Sequence, residues 1–200
     1  VFDPEGKYLY FLTQRHFQPA YSAFENTWIY ANATVIAAVP LRKDVPSPLA
    51  PRNDEEPVRD LNGGQSKETK QEATTSPATS PAPITIDVED FERRVVILPP
   101  KPGNYGELAA VPGKVLYHRH VRTGAADEKN PIVAYDLKER KEETIVDDAF
   151  TFIVSADGKK LLVQHQNRFA IVDPRPNQKL DKVLATANLE MMVDPREEWR

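Results

Sequence analysis

Two histidines, His118 and His120, stand two residues apart in Val115-Leu-Tyr-His-Arg-His120. On a strand that spacing puts both rings on one face. With a third ligand they could hold a metal, because neutral imidazole is a common metal donor. The nearest acidic candidates, Asp127 and Glu128, sit in a polar loop, so a solvated or interface strand face is the preferred reading. Nucleophilic catalysis needs a serine with a base in reach. Ser47, Ser66, Ser76 and Ser80 fall in a low-complexity stretch, Ser22 in an aromatic loop and Ser155 in a repeated turn. No Gly-x-Ser-x-Gly elbow exists. The chain has no cysteine, which excludes disulfides, thiolate metal sites and a cysteine nucleophile. His16 and His165 are isolated. Asp3 and Asp157 are turn residues whose carboxylates are expected to accept from nearby backbone amides. The mixed run from Lys138 to Glu143 reads as a solvated hairpin end, and Trp28 and Trp199 as packing residues. No residue is assigned a catalytic, cofactor-binding or metal-binding role.

The elements that carry these residues follow from a repeat. Val154-Ser-Ala-Asp-Gly-Lys-Lys-Leu-Leu-Val163 is a tight turn feeding a strand, with Asp-Gly supplying the dihedrals the turn needs. A second copy is Phe2-Asp-Pro-Glu-Gly-Lys-Tyr-Leu-Tyr-Phe11, and a degenerate third is Val111-Pro-Gly-Lys-Val-Leu-Tyr117. Gly113 and Gly158 are 45 residues apart, the length of one four-stranded propeller blade. Residues 108–146 supply four strands in a meander. Residues 150–173 supply three, and Val183-Leu184 offers a fourth. The predicted fold class is all-β: antiparallel β-propeller blades forming part of a seven-bladed type of ring. An open β-sandwich is the runner-up. The formal charge of −4 points to neither nucleic acid nor an anionic membrane surface. No apolar run approaches the ~20 residues of a membrane span. Absence of cysteine is compatible with the cytoplasm, the expected location.

In chain order, Tyr8 to Thr13 forms a strand apolar on both faces, as a strand between layers does. Gln14 to Asn26 is an aromatic-rich loop. Trp28-Ile-Tyr and Ala33 to Val39 are strands closed by Pro40. Residues 46–83 divide two blade regions, 1–45 and 84–188. The segment is rich in Pro, Ser, Thr, Glu, Lys and Gln, with Leu49, Val58 and Leu61 as its only large aliphatics after Pro46. Such a segment buries too little apolar surface to offset chain entropy and is predicted to be a disordered insertion. Phe91 to Leu98 is predicted as a strand, and Pro99 to Gly106 as a rigid connector. Both ends of the chain look cut. Asp194-Pro-Arg-Glu-Glu-Trp199 reads as a helix start, with Asp194 as cap and Glu197 completing a capping box. Residues 189–200 are therefore expected to begin a following mixed α/β region. Two or so blades do not close a ring, so the isolated segment is expected to expose sheet edges and aggregate.

Val1-Phe-Asp-Pro-Glu-Gly-Lys-Tyr-Leu-Tyr-Phe-Leu-Thr13 resembles the propeller repeat of the tricorn proteases. Leu41-Arg-Lys-Asp-Val-Pro-Ser-Pro-Leu49, Phe91 to Val96, Pro102 to Gly106, Tyr135 to Thr144 and Leu189 to Trp199 are similar too. The resemblance implies the final blades of a second propeller in a serine peptidase. In that family a PDZ domain and a catalytic domain follow, and the propeller is thought to admit peptides through its channel. Implied partners are peptide substrates, the remaining domains of the same chain and further copies in a homo-oligomer. The family's catalytic Ser and His lie beyond Arg200, so none is carried over. An alternative is a free-standing interaction module like the TolB propellers, which share Asp-Gly-Lys turns.

Overall fold

The computed structural model describes residues 1–52, 84–126, 129–186, 192 and 194. Its strands fall into three sheets in chain order, plus one small hairpin. In the first sheet, Tyr8–Thr13 (β1) pairs antiparallel with Val35–Pro40 (β4), and β4 with the two-residue Val96–Ile97 (β5). Between β1 and β4 rises the hairpin Ala20–Ser22 (β2) and Thr27–Ile29 (β3). The second sheet is a four-stranded meander of Asn104–Val111 (β6), Lys114–His120 (β7), Ile132–Asp136 (β8) and Lys141–Val146 (β9). The third joins Thr151–Val154 (β10), Leu161–His165 (β11) and Arg168–Val172 (β12).

The Gly-Lys copies occupy one equivalent place in each sheet. Gly113 turns β6 into β7 and Gly158 turns β10 into β11, with φ of 75° and 69°, where an L side chain is strained. Gly6, φ 66°, turns the Phe2 stub into β1, and Phe2 bridges Leu9. Each copy therefore marks the step from first to second strand. Asp3 and Asp157 tie these turns: Lys7 N donates to Asp3 Oδ2 at 3.1 Å, and Lys159 N to Asp157 Oδ1 at 3.1 Å.

Strand alternation stacks the sheets. Along β7, Val115 and Tyr117 pack with Tyr10, Ile36, Ala38 and Leu98 of the first sheet. Leu116 looks the other way, toward Phe152, Leu161, Val163 and Val172 of the third. A strand buried on both faces must lie between two layers. The third sheet gains a partial fourth strand, since Val183 bridges Ala170 and Leu184 N donates to Phe169 O.

Several expectations need correction. Phe91–Arg94 is a 3-10 turn, and only Val96–Ile97 pairs as a strand. Asp90, at φ 54°, redirects the chain, and Phe91 N donates to Val88 O, Arg93 N to Asp90 O and Val95 N to Glu92 O, so the backbone is spent on a local turn before it reaches β4. The loop from Gln14 to Asn26 contains a strand, β2, held by the cross-strand Tyr21–Trp28 pair. That pair is exposed, so Trp28, 57% exposed, is no core residue. The predicted connector from Pro99 to Gly106 ends early, because Asn104 already opens β6, an eight-residue strand broken by a bulge between Gly106 and Ala109. From sequence the insertion begins at Pro46. In the structure Tyr8 Oη donates to Pro46 O at 2.9 Å, Leu49 packs against the first core, and Arg140 donates to Ala50 O. The rest of the insertion, the Asp127–Glu128 candidates and the helix start after Asp194 lie outside the described residues.

Candidate functional site

β6, the leading strand of its sheet, touches β1 on one side and the leading strand β10 of the third sheet on the other. In sheet order β6 and β10 are edges, each paired on one side only. They bound a groove of about 530 Å³ lined by Val1, residues 107–110 and residues 151–155. Leu108, Ala109, Phe152, Ile153 and Val154 make it largely apolar, and Glu107 is the one carboxylate among its described lining residues.

Glu107 is unusual for a strand residue. Its φ of 46° places it in the left-handed region, at the bulge that lets β6 carry extra chain against β7. The bulge aims its carboxylate at two neighbours. Thr151 Oγ1, from the next sheet, donates to Glu107 Oε1 at 2.5 Å. His118 Nδ1 lies 3.0 Å from Glu107 Oε2, close but without the alignment of a hydrogen bond. His118 is 1% exposed. Its Nε2 sits 3.0 Å from Ala149 O and 3.2 Å from Asn130 O, so two carbonyl acceptors require a hydrogen there. One ring thus joins β7, the Asn130 loop, the connection into β10 and the β6 bulge.

The predicted pairing of His118 with His120 on one face is present, with ring centroids 4.4 Å apart. Burial, then the neighbouring His118, holds His120 below the usual histidine range, against an upward pull from Glu107. His120 also explains Gly106, where any Cβ would come within 2.5 Å of His120 Nε2. Among the described residues no group of three His, Asp or Glu side chains is arranged to hold a metal. The His118 ring is enclosed by protein acceptors instead. Sequence reasoning missed Glu107, eleven residues upstream of His118 and on another strand. Only the bulge brings it there, and its sole sequence signal is the preceding glycine.

The other candidates are dispersed. Ser155 Oγ donates to Asp157 Oδ1 at 2.6 Å within its turn, which holds Asp157 below the usual carboxylate range. Within the mixed run, Glu143 reaches Lys114 at 2.8 Å, and Glu142 accepts from Tyr117 and Arg119. That run is therefore only partly a solvated end. His16 Nε2 lies 3.0 Å from Gln18 Oε1, and His165 Nδ1 3.7 Å from Asp148 Oδ2.

Antiparallel meander sheets stacked face to face, one of them four-stranded, with the leading strands β6 and β10 of two neighbours bounding a groove, define a segment of a β-propeller. The particular propeller follows from comparison. A family model, the tricorn protease second beta propeller domain, matches residues 1–175, and the chain belongs to that family. Tricorn protease homolog 1 of Streptomyces coelicolor is 28% identical over 216 residues, covering all of this chain and 19% of the relative. The tricorn protease homolog of Saccharolobus solfataricus is 23% identical over 211 residues, with 17% of its length covered. A crystal structure of the tricorn protease shares the fold at a TM-score of 0.58 and 21% identity, over 92% of this chain and 17% of that one. The chain spans about a fifth of the length of the curated relatives it matches.

Proposed function

We propose that this chain is the substrate-admitting, non-catalytic propeller portion of a cytoplasmic tricorn-like serine peptidase. Peptides pass along the groove between β6 and β10 toward a peptidase domain elsewhere in the same polypeptide. The observation that carries this reading is the membership of residues 1–175 in the second-propeller family. The geometry is consistent with it. An extended peptide can lie against free strand edges, using main-chain hydrogen bonds that do not depend on its sequence. The apolar wall suits a peptide of mixed composition. No described serine has a histidine beside it, and Ser155 is held by Asp157 within its turn, which supports a contribution of passage and scaffolding.

The test uses the full polypeptide with Ile153→Arg, which places a long charged side chain on the groove wall at a position 65% exposed. Hydrolysis of octapeptides should fall about tenfold, while a single-residue fluorogenic amide is cleaved as before. Unchanged octapeptide hydrolysis would remove the groove from the substrate route.

A further inference from the structure

The side chains of the groove between β6 and β10 offer a ligand acceptors and apolar surface, but no free donor. Both hydroxyls in its described lining already donate to carboxylates: Thr151 Oγ1 to Glu107 Oε1 at 2.5 Å, and Ser155 Oγ to Asp157 Oδ1 at 2.6 Å. No Lys, Arg or His is among the described lining residues. Glu107 is the one charged side chain there, and the rest are aliphatic or Phe152.

The Glu107 carboxylate is held in place but not offset. The bulge fixes its backbone, and 35% of its side chain stays exposed. Thr151 gives it one hydrogen bond from a neutral hydroxyl. The two rings behind it supply no second one. His118 spends its Nε2 hydrogen on Ala149 O and Asn130 O. Its Nδ1, buried and without a hydrogen-bond partner, faces Glu107 Oε2 at 3.0 Å. His120 is held below the usual histidine range by burial, then by His118, and is uncharged at neutral pH. A buried acceptor thus stands beside a carboxylate oxygen, and neither has a donor between them. Against low-dielectric walls, an incoming donor gains more from such a pair than it would in water.

We propose that Glu107 selects cationic side chains in the peptides that pass along this groove, a lysine ammonium or arginine guanidinium donating to its carboxylate while the aliphatic stem lies on Leu108 and Ile153. Lys and Arg carry only donors, on apolar stems, which is the complement of this wall. The proposal rests on the reading that peptides pass here, and it names the class admitted best.

The test uses the full polypeptide at about pH 8, above the value of about 6.5 at which an ordinary histidine titrates. Octapeptides alternating Ala with Lys, norleucine or Glu are compared by kcat/KM. Single-residue fluorogenic amides of the same three residues read the preference of the peptidase domain without the groove. After division by the amide ratio, Lys should be favoured over norleucine about fivefold, with Glu below both. Glu107→Gln keeps the acceptor for Thr151 and should bring the ratio close to one. In the parent, raising NaCl from about 50 mM to about 500 mM should shrink the ratio too, a readout that needs no variant. A parent ratio near one, the result if a protonated His118 already pairs with Glu107, overturns the proposal. So does a lysine preference that survives Glu107→Gln. If that variant does not fold, a parent ratio unmoved by salt overturns it. Ile153→Arg separates this outcome from failure of the passage reading. Slowing of all three octapeptides by Ile153→Arg, with no effect of Glu107→Gln on the ratio, leaves passage without selection. Octapeptide hydrolysis unchanged by either variant removes both.

Discussion

At His118 a ring with 1% of its surface exposed faces two carbonyls on one side and the Glu107 carboxylate on the other. Removing it takes the donor from the Ala149 carbonyl and leaves Asn130 O only its bond from Ala149 N, and an unsatisfied buried group costs its full desolvation. His118→Leu should therefore destabilise by about 2–4 kcal/mol, read from the urea midpoint. Glu107→Gln keeps the acceptor for Thr151 and should cost less. In a double-mutant cycle the two changes should couple by about 1 kcal/mol or more, because one ring and one carboxylate share the seam. Additive losses would show that Glu107 and His118 act separately.

At the scale of the strand, β8 and β9 are anchored to β7 by a charge cluster. Lys114 Nζ lies 3.3 Å from Asp136 Oδ2 and 2.8 Å from Glu143 Oε2. Burial pushes the Asp136 carboxyl up, but the amides of Glu139 and Lys138, at 2.8 and 2.9 Å, together with Lys114 hold it below its ordinary value of 3.8. A depressed carboxyl stabilises the fold above that value, and the stabilisation is lost as pH falls through the folded value. The Glu143 hydrogen bond, outweighing burial, raises Lys114 above 10.5, so its contribution is complete below that pH and fades as pH rises through the folded value. Asp136→Asn should cost about 1 kcal/mol at neutral pH and flatten the fall of Tm below pH 3.8. A variant whose acid limb overlays the parent's would remove Asp136 from the acid sensitivity.

For the molecule as a whole, the informative surface is the free face of the third sheet. Ile153, Leu162 and Ile171 sit in direct cross-strand register on the face opposite Phe152, Val163 and Ala170. Ile153 and Ile171 are 65% and 50% exposed. The two faces of the second sheet are each covered by a neighbour, so the Leu162–Ile171 part of this row, away from the groove edge where Ile153 stands, is where a further layer belongs. Ile171→Lys should leave the isolated 200-residue chain no less stable and more soluble. In the full polypeptide it should lower Tm, by burying a charge against the next layer. An equal effect in both settings would show that the row stays exposed.

Much of this architecture was legible in the residues. Asp-Gly-Lys fixes a turn through local dihedrals, and its recurrence at 45 residues sets the blade, since both act over a few bonds or one period. The apolar run Val115-Leu-Tyr117 after Gly113-Lys placed a strand for the same reason, while its burial on both faces came from the sheets stacked on it. The family could be recognised from those repeats. What happens between sheets was not legible. The Glu107–His118–Thr151 seam needs a bulge that depends on pairing with β7 and a hydroxyl from another blade. Arg93 and Arg94 fell into a turn because β4 offers pairing only to Val96 and Ile97. The recess at the other end of the strands from the Gly-Lys turns gathers His16, Lys101 and Arg122 from three distant segments. Turn chemistry and strand period are local properties that a chain carries wherever it goes. Which imidazole meets which carbonyl is set by how the sheets are joined, as where His118 and Ala149, 31 residues apart, come to 3.0 Å.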